Sequence, residues 1–386
     1  MNYRAWFAAA AASFFLTTSA AWAAETVKVG VIAPFSGPLS GAWGIPFKQG
    51  IDTYVAQHGV TLEDGTSIEF IYRDLPVVDP QKARALAQEL IVRDKVQYLA
   101  GFVSTPNALA AAGIVEEAKI PTVILNAAGP SILQKSQYLV RTSNTLPQIT
   151  EPVAEYMAAN NLKRIVLAVA DYSPGIDAEN AFKKAFGSRG EILESIRMPL
   201  STTDFGPFMQ RIRLHKPDAF FVFLPAGPAT FSFVKSYNEN GLKKEGIRFF
   251  GLSETQESDL QQLGDDAIGL ETSYIYSAAH ESETNAKFLA AFKQKYPEGV
   301  VNPATVMAYD GVHVLRKMME ATKGKRDPEA AMAAVRGFAW ESPRGPVKID
   351  NETRELVENV YIRQVQKDDK GVLYNKEVHV YPMRAK

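Results

Sequence analysis

Short apolar runs alternate with helix-length amphipathic segments along most of the sequence. TVKVGVIAPF precedes PFKQGIDTYVAQHG, and TSIEFIYRD precedes DPQKARALAQELIVRD. Strands that alternate with helices in this way favour parallel βαβ units, in which helices cover both faces of a sheet. The extended stretch SQYLVRTSNTLPQ interrupts the alternation, and a second series of pairs starts at KRIVLAVAD. The sequence therefore predicts an α/β protein with two modules.

The pattern changes after about residue 276. Two helical segments, SETNAKFLAAFKQKYP and PATVMAYDGVHVLRKMMEATKG, come first. The tail that starts at Ser342 predicts two or three antiparallel strands, with turns at Pro and Gly residues and at DDKG. The local pattern does not decide which module these segments join.

The first 23 residues have the layout of a secretory signal peptide. Arg4 supplies a cation, an apolar run extends from Ala5 to Leu16, and a small-residue site ends at Ala23. The run is too short to span a bilayer as a permanent helix, although an uncleaved membrane anchor is the alternative. We expect cleavage after Ala23 and export of the mature chain.

The composition excludes several classes of function. The formal net charge is −1 and no basic patch stands out, so nucleic acid is not an expected partner. The absence of cysteine removes thiol catalysis and cysteine metal sites. Five scattered histidines lack metal-ligand spacing, and the common catalytic and phosphate-binding motifs are missing. We expect no metal and no cofactor. A secreted hydrolase, the enzyme alternative, lacks a convincing nucleophile and base.

Loops that follow the strands carry the candidate binding residues, because ligands of open α/β sheets bind at the carboxyl ends of the strands. Ser104 or Thr105 is placed to cap a helix, and the unpaired N–H groups of a helix start attract anions. An ordinary helix cap explains the same residues equally simply. The stretch ILNAAGPS ends the next strand in small residues, and Trp43 lies on the first loop. Together they suggest a pocket with a flat apolar wall.

Five segments stand in a specific order along the chain: VKVGVIAPFSGPLSGAWG, GFVSTPNALAAAGIVEEAKIPTVILNAA, YLVRTSN, VADYSPGIDAENAFKKAF and SPRGPVKID. Through them the sequence, from about Thr26 to the C-terminus, resembles the periplasmic solute-binding proteins of branched-chain amino acid ABC transporters, the leucine/isoleucine/valine-binding protein family. The resemblance implies two Rossmann-like lobes with parallel sheets, joined by a three-strand hinge, as in type I periplasmic binding proteins.

The same resemblance implies a domain organisation and a role. Residues 1–23 are expected to form the signal peptide, 24–143 plus 276–338 lobe 1, and 144–275 plus 339–386 lobe 2. The connections would be YLVRTSN, ETSYIYSA and GFAWESPRGPV. Family members reside in the periplasm, close around one small ligand and dock on a membrane permease. We expect a monomer that does the same and has no catalytic activity.

The resemblance also implies which residues hold the ligand. In the family, lobe 1 binds the ligand carboxylate and supplies an aromatic wall. The matching positions here are Trp43, Ser104, Thr105, Asn126, Ala127 and Ala128. Asp171 and Tyr172 lie on the corresponding loop of lobe 2, and Glu254 falls near the family's acidic partner for the ligand ammonium. The chain departs from many amino-acid binders at Pro174-Gly175, where they have Tyr-Gly, and at the LPAGPA loop.

Two classes of ligand follow from these similarities and departures. A branched-chain or other hydrophobic amino acid is the main prediction. An aromatic or keto acid that lacks the amine is the alternative, since the amino end of the site differs from the family pattern. An exported sensor that reports the ligand to a signalling partner would share the fold and is a third possibility.

Overall fold

A computed structural model describes residues 25–383 of the protein. The predicted signal peptide, residues 1–23, therefore lies outside the described residues. The first sheet contains five parallel strands in the order β2-β1-β3-β4-β5. These strands are β1 (Thr26–Ala33), β2 (Ser67–Asp74), β3 (Tyr98–Gly101), β4 (Thr122–Ile124) and β5 (Leu139–Arg141).

Helices cover the first sheet on both faces, as the alternating pattern predicts. Three of them connect its strands, and three more come from the later part of the chain, where the long helix α10 packs along α1. They are α1 (Ile45–His58), α2 (Pro80–Val92), α3 (Thr105–Ala118), α9 (Glu283–Lys295), α10 (Pro303–Thr322) and α11 (Pro328–Val335). We call this sheet with these six helices lobe 1.

The second sheet has seven strands in the order β15-β14-β10-β9-β8-β6-β7. Its first five strands along the chain are parallel, and β14 and β15 extend the β10 edge in antiparallel pairs. The strands are β6 (Arg164–Ala170), β7 (Glu191–Met198), β8 (Ala219–Phe223), β9 (Arg248–Gly251), β10 (Glu271–Tyr274), β14 (Val360–Lys367) and β15 (Leu373–Tyr381).

Both faces of the second sheet are buried. On β6, Val166 and Ala168 join one apolar cluster, while Ile165 and Leu167 point into another. Side chains of a strand alternate between faces, so a strand that is apolar throughout needs helices on each side. The helices are α4 (Leu146–Ala159), α5 (Ser173–Phe186), α6 (Gly206–Leu214), α7 (Pro228–Glu239) and α8 (Glu257–Leu263). We call this sheet with these helices lobe 2.

A small antiparallel sheet has the strand order β11-β12-β13. Along the chain it follows α11 and precedes β14 and β15. Its strands are β11 (Ala339–Ser342), β12 (Gly345–Ile349) and β13 (Leu356–Glu358). The prediction of two or three tail strands was wrong, because β12, β13, β14 and β15 all follow Ser342. The tail divides between two sheets, and only pairing with distant strands reveals this division.

Three connections join the lobes: residues 142–145, 275–282 and 336–359. The first leads from β5 into α4, the second from β10 into α9, and the third contains the small sheet. Within residues 25–383, no helix combines the length and the apolar character needed to cross a membrane.

Candidate functional site

A cavity of about 350 Å³ lies between the two lobes, at the carboxyl ends of the parallel strands. Ligands of open α/β sheets bind at this edge. Residues that follow the strands of both sheets line it. They are Leu39, Trp43, Val78, Val103, Ser104, Thr105, Pro106, Asn126, Ala128, Asn144, Leu146, Ile149, Tyr172, Ser173, Pro174, Leu200, Phe223, Leu224, Pro225, Ala226, Ser253 and Tyr274.

The start of helix α3 forms one wall of the cavity. Gly101 ends β3 with a φ of +121°, and a Cβ there would lie 2.1 Å from the Ile32 carbonyl oxygen, so the turn needs glycine. Ser104 follows in extended conformation as the N-cap residue, but its side chain makes no capping hydrogen bond. Its Oγ is buried and has no partner among the described residues. The helix start therefore lines the cavity with a residue whose hydroxyl is unpaired, and its first N–H groups have no partner within the helix.

Hydrogen bonds hold the neighbouring loop against this helix start. The Gly129 N–H donates to Thr105 Oγ1 at 3.1 Å, and Asn126 Nδ2 donates to the Val103 carbonyl oxygen at 2.8 Å. The Ala127 N–H donates to the Phe102 carbonyl oxygen at 2.9 Å, which fixes the loop to the end of β3. The loops after β3 and β4 thus form one rigid surface.

Aromatic rings face the cavity from both lobes. Trp43 lies on a π-helical turn, Ser40–Gly44, is 7% exposed, and meets the Phe47 ring edge-to-face at 6.4 Å between centroids. In lobe 2, the Tyr172 ring stacks on Phe223 at 6.3 Å with an interplanar angle of 16°. These rings give the cavity flat apolar walls, which suit a planar ligand.

The cavity lining contains no Asp, Glu, Lys, Arg or His among the residues that the structure describes. Glu254 is 1% exposed and does not line the cavity. Its Oε1 accepts the Leu224 N–H at 2.9 Å and its Oε2 accepts the Leu252 N–H. Burial raises the pKa of Glu254 to about 7. The hydrogen bonds from the Leu224 and Leu252 N–H groups lower the pKa, but their effect is smaller than that of burial. Both carboxylate oxygens are engaged by the loops after β8 and β9.

Six of the nine predicted site residues line the cavity: Trp43, Ser104, Thr105, Asn126, Ala128 and Tyr172. Three do not. Ala127 is fully buried beneath the surface that its neighbours form, Asp171 points to solvent, and Glu254 lies behind the lobe 2 wall. Whether each residue contacts a ligand stays a prediction.

Sequence reasoning did not select several residues that line the cavity. Asn144 is 3% exposed, lies in the first connection, and has a buried Oδ1 without a partner among residues 25–383. Asn144 follows the end of β5 by three residues and Tyr274 ends β10, so the strand-end rule was the signal that could have found them. The aliphatic wall, in contrast, carries no sequence signal that separates it from the core.

A second cavity, of about 680 Å³, lies between α9 and the turn that joins β14 to β15. It is larger than the inter-lobe cavity, but none of the predicted site residues lines it. Its lining combines aliphatic side chains with Lys293, Lys367 and Asp265, and Lys367 forms an ion pair with Asp265 at 2.6 Å. Because the strand ends converge on the smaller cavity, we take that one as the candidate ligand site.

The sequence of the chain is similar to those of known binding proteins over nearly its full length. The family model for periplasmic binding proteins matches residues 26–370. The chain is 49% identical over 379 residues to the Leu/Ile/Val-binding protein homolog 6 of Brucella abortus (strain 2308), and the alignment covers 96% of this chain and 95% of the relative.

Two solved structures of ABC transporter solute-binding proteins are similar over almost their full length. One, from Rhodopseudomonas palustris HaA2, is in complex with p-hydroxybenzoic acid; it is 48% identical with a TM-score of 0.90, and the match covers 94% of this chain and 98% of that chain. The other, from Rhodopseudomonas palustris BisB5, is in complex with 3,4-dihydroxybenzoic acid; it is 42% identical with a TM-score of 0.87, covering 93% and 98%.

Proposed function

The chain belongs to the periplasmic binding protein family, and we propose that its ligand is an aromatic carboxylate without an amine, of the hydroxybenzoate type. It is a solute-binding protein of an ABC transporter, a class that binds small molecules and works with a membrane permease. The family implies a periplasmic location. In this proposal the protein captures the acid between its lobes, carries out no chemistry on it, and delivers it to the permease.

The uncharged lining of the cavity is the observation that carries the proposal. An α-amino acid brings an ammonium group, and burying that cation without an acidic partner costs several kcal/mol. The family resemblance assigns Glu254 as the acidic partner of the ligand ammonium. Its two oxygens, however, already accept backbone N–H groups behind the wall of the cavity. A carboxylate that lacks the amine avoids this cost.

The start of α3 offers a matching site for the carboxylate. Ser104 Oγ has no partner among the described residues, and the first N–H groups of α3 have none within the helix. A helix N-terminus also carries partial positive charge, which favours a bound anion. The site therefore supplies hydrogen-bond donors and a favourable field without a lysine or arginine.

The remaining walls suit an aromatic ring that carries a hydroxyl. Trp43 and the Tyr172–Phe223 pair provide flat apolar surfaces, and Ser253 provides a hydroxyl in lobe 2. Burial raises the pKa of the Tyr172 hydroxyl, so that it stays neutral and able to donate or accept a hydrogen bond. The two solved structures with 48% and 42% identity are complexes with hydroxybenzoic acids, which supports the same ligand class.

A thermal-shift screen with matched pairs of ligands tests the proposal. 3-Phenylpropanoate and phenylalanine differ only in the amine, and benzoate and 4-hydroxybenzoate represent the proposed class. A ligand at about 100 times its Kd raises the melting temperature by roughly 3–4 °C for a chain of this size. We expect this shift from the amine-free acids and not from phenylalanine, leucine or isoleucine. A rise in melting temperature with the amino acids alone would contradict the proposal and support an amino-acid receptor instead.

A further inference from the structure

One buried arginine in the third connection contacts the first connection directly and reaches the second through a neighbouring tyrosine. Arg344 lies between β11 and β12, and its side chain is 0% exposed. Its Nη2 donates to the Thr142 carbonyl oxygen in the first connection at 2.6 Å. Its Nη1 donates to Glu358 at the end of the third connection at 2.8 Å. Its Nε and Nη2 donate to Asp310 Oδ2 at 2.9 Å and 2.6 Å.

The cluster reaches lobe 1, lobe 2 and the second connection. Asp310 belongs to α10 of lobe 1, and it also accepts hydrogen bonds from Trp340 Nε1 at 2.9 Å and from a serine of β11 at 2.8 Å. Tyr361, on β14 of lobe 2, donates its hydroxyl to the Arg344 carbonyl oxygen at 2.7 Å. Its ring lies 5.2 Å from that of His280 in the second connection. Arg344 thus contacts the first and third connections directly, and Tyr361 links it to the second.

The geometry of this cluster resists change. A buried ion pair is stable only while its hydrogen bonds stay intact, and the loss of one partner leaves an uncompensated buried charge. Thr142, Asp310 and Glu358 are therefore held at fixed positions relative to one another. Two lobes joined in this way can rotate about the cluster more easily than they can shift across it.

The cluster is also close in sequence to the candidate ligand site. Asn144 lines the cavity and follows Thr142 by two residues in the first connection. A ligand that contacts Asn144 therefore acts on the same short segment that Arg344 holds. Ligand binding and lobe orientation therefore both depend on the backbone between Thr142 and Asn144.

We propose that Arg344 is the pivot of lobe closure: it fixes the first and third connections on α10, and so sets both the orientation of the lobes and the fraction of molecules able to bind. The inference rests on the proposed function only in assuming that a ligand closes the lobes. If the pivot is loosened, misaligned orientations become populated, and the apparent affinity falls in proportion to the competent fraction.

An inter-lobe distance measurement tests the pivot. The chain has no cysteine, so spin labels can be placed at Gln88→Cys on α2 and Ser232→Cys on α7, two exposed positions in different lobes. Electron double resonance then gives the distance distribution with and without 4-hydroxybenzoate. We expect Arg344→Lys to broaden the distribution in both states and to weaken binding about ten-fold, because lysine keeps the charge but loses the fork of donors.

Arg73→Lys is the matched control. Arg73 also pairs with two carboxylates, Glu89 and Asp94, but lies within lobe 1 and touches no connection. It should lower stability without broadening the inter-lobe distances. If Arg344→Lys does not fold, Glu358→Gln weakens the same cluster while it keeps an oxygen for Arg344, and the same broadening is expected.

The outcomes separate the pivot from the proposed function. Distance distributions and affinity equal to those of Arg73→Lys would overturn the pivot. So would a wild-type protein that binds ligand without any change in distance. If the wild type binds no aromatic acid, the proposed function fails, and the ligand-free distributions still decide whether Arg344 holds the lobes.

Discussion

Replacement of Ser104 by alanine isolates the contribution of the carboxylate site. Ser104 Oγ has no hydrogen bond within the described residues and does not cap α3, so its removal costs the fold no contact that the structure shows. A hydrogen bond to a charged group contributes about 1.5–3 kcal/mol. Ser104→Ala should therefore weaken the binding of 4-hydroxybenzoate roughly 10- to 150-fold and leave the melting temperature of the free protein unchanged.

Titration calorimetry measures this loss, and Ser253→Ala is the matched control. Ser253 lines the same cavity from the loop between β9 and α8 in lobe 2. Its replacement should weaken 4-hydroxybenzoate but leave benzoate, which has no ring hydroxyl, unaffected, whereas Ser104→Ala should weaken both acids equally. Unchanged affinity in Ser104→Ala, with normal stability, would refute the placement of the carboxylate at α3.

Three further predictions concern the walls and the buried carboxylate of Glu254. Bound aromatic acid should change the intrinsic fluorescence, and Trp43→Phe should abolish most of that change if the Trp43 wall covers the ligand. Thr105→Ala should lower the free energy of unfolding by about 1 kcal/mol in urea melts, because the Gly129 N–H loses its acceptor, and Thr105→Ser should restore it. Burial raises the pKa of Glu254 to about 7, so the folded state keeps a proton that the unfolded state releases, and stability should fall as the pH rises from 5 to 7. Glu254→Gln should flatten this pH dependence by up to about 3 kcal/mol, and an unchanged slope would show that the carboxylate is already ionised in the folded protein.

The sequence pattern was sufficient for the parallel strands of the two sheets and for the edge at which the cavity lies. Strands such as β6 are buried on both faces, so their composition is apolar throughout and distinct from the amphipathic helices. Because every parallel strand ends at the same edge, the residues after β3 and β4 could be brought together without knowledge of their contacts. That is why Ser104, Thr105 and Asn126 were predicted to lie in one place.

Side-chain direction and long-range pairing could not be predicted in the same way. Glu254 follows a strand end as Ser253 does, yet its carboxylate turns away from the cavity because the Leu224 and Leu252 N–H groups need acceptors. The cluster around Arg344 joins residues from distant parts of the chain, and no local period connects Arg344 with Asp310. Such contacts follow from the tertiary fold alone.

Titration calorimetry of the wild-type protein with 4-hydroxybenzoate and, separately, with leucine tests the ligand class most directly. The uncharged lining of the cavity and the open donors of α3 predict binding of one 4-hydroxybenzoate per chain and no heat of binding from leucine. Saturable binding of leucine, with no heat of binding from 4-hydroxybenzoate or related aromatic acids, would contradict the proposed ligand class and support an amino-acid receptor instead.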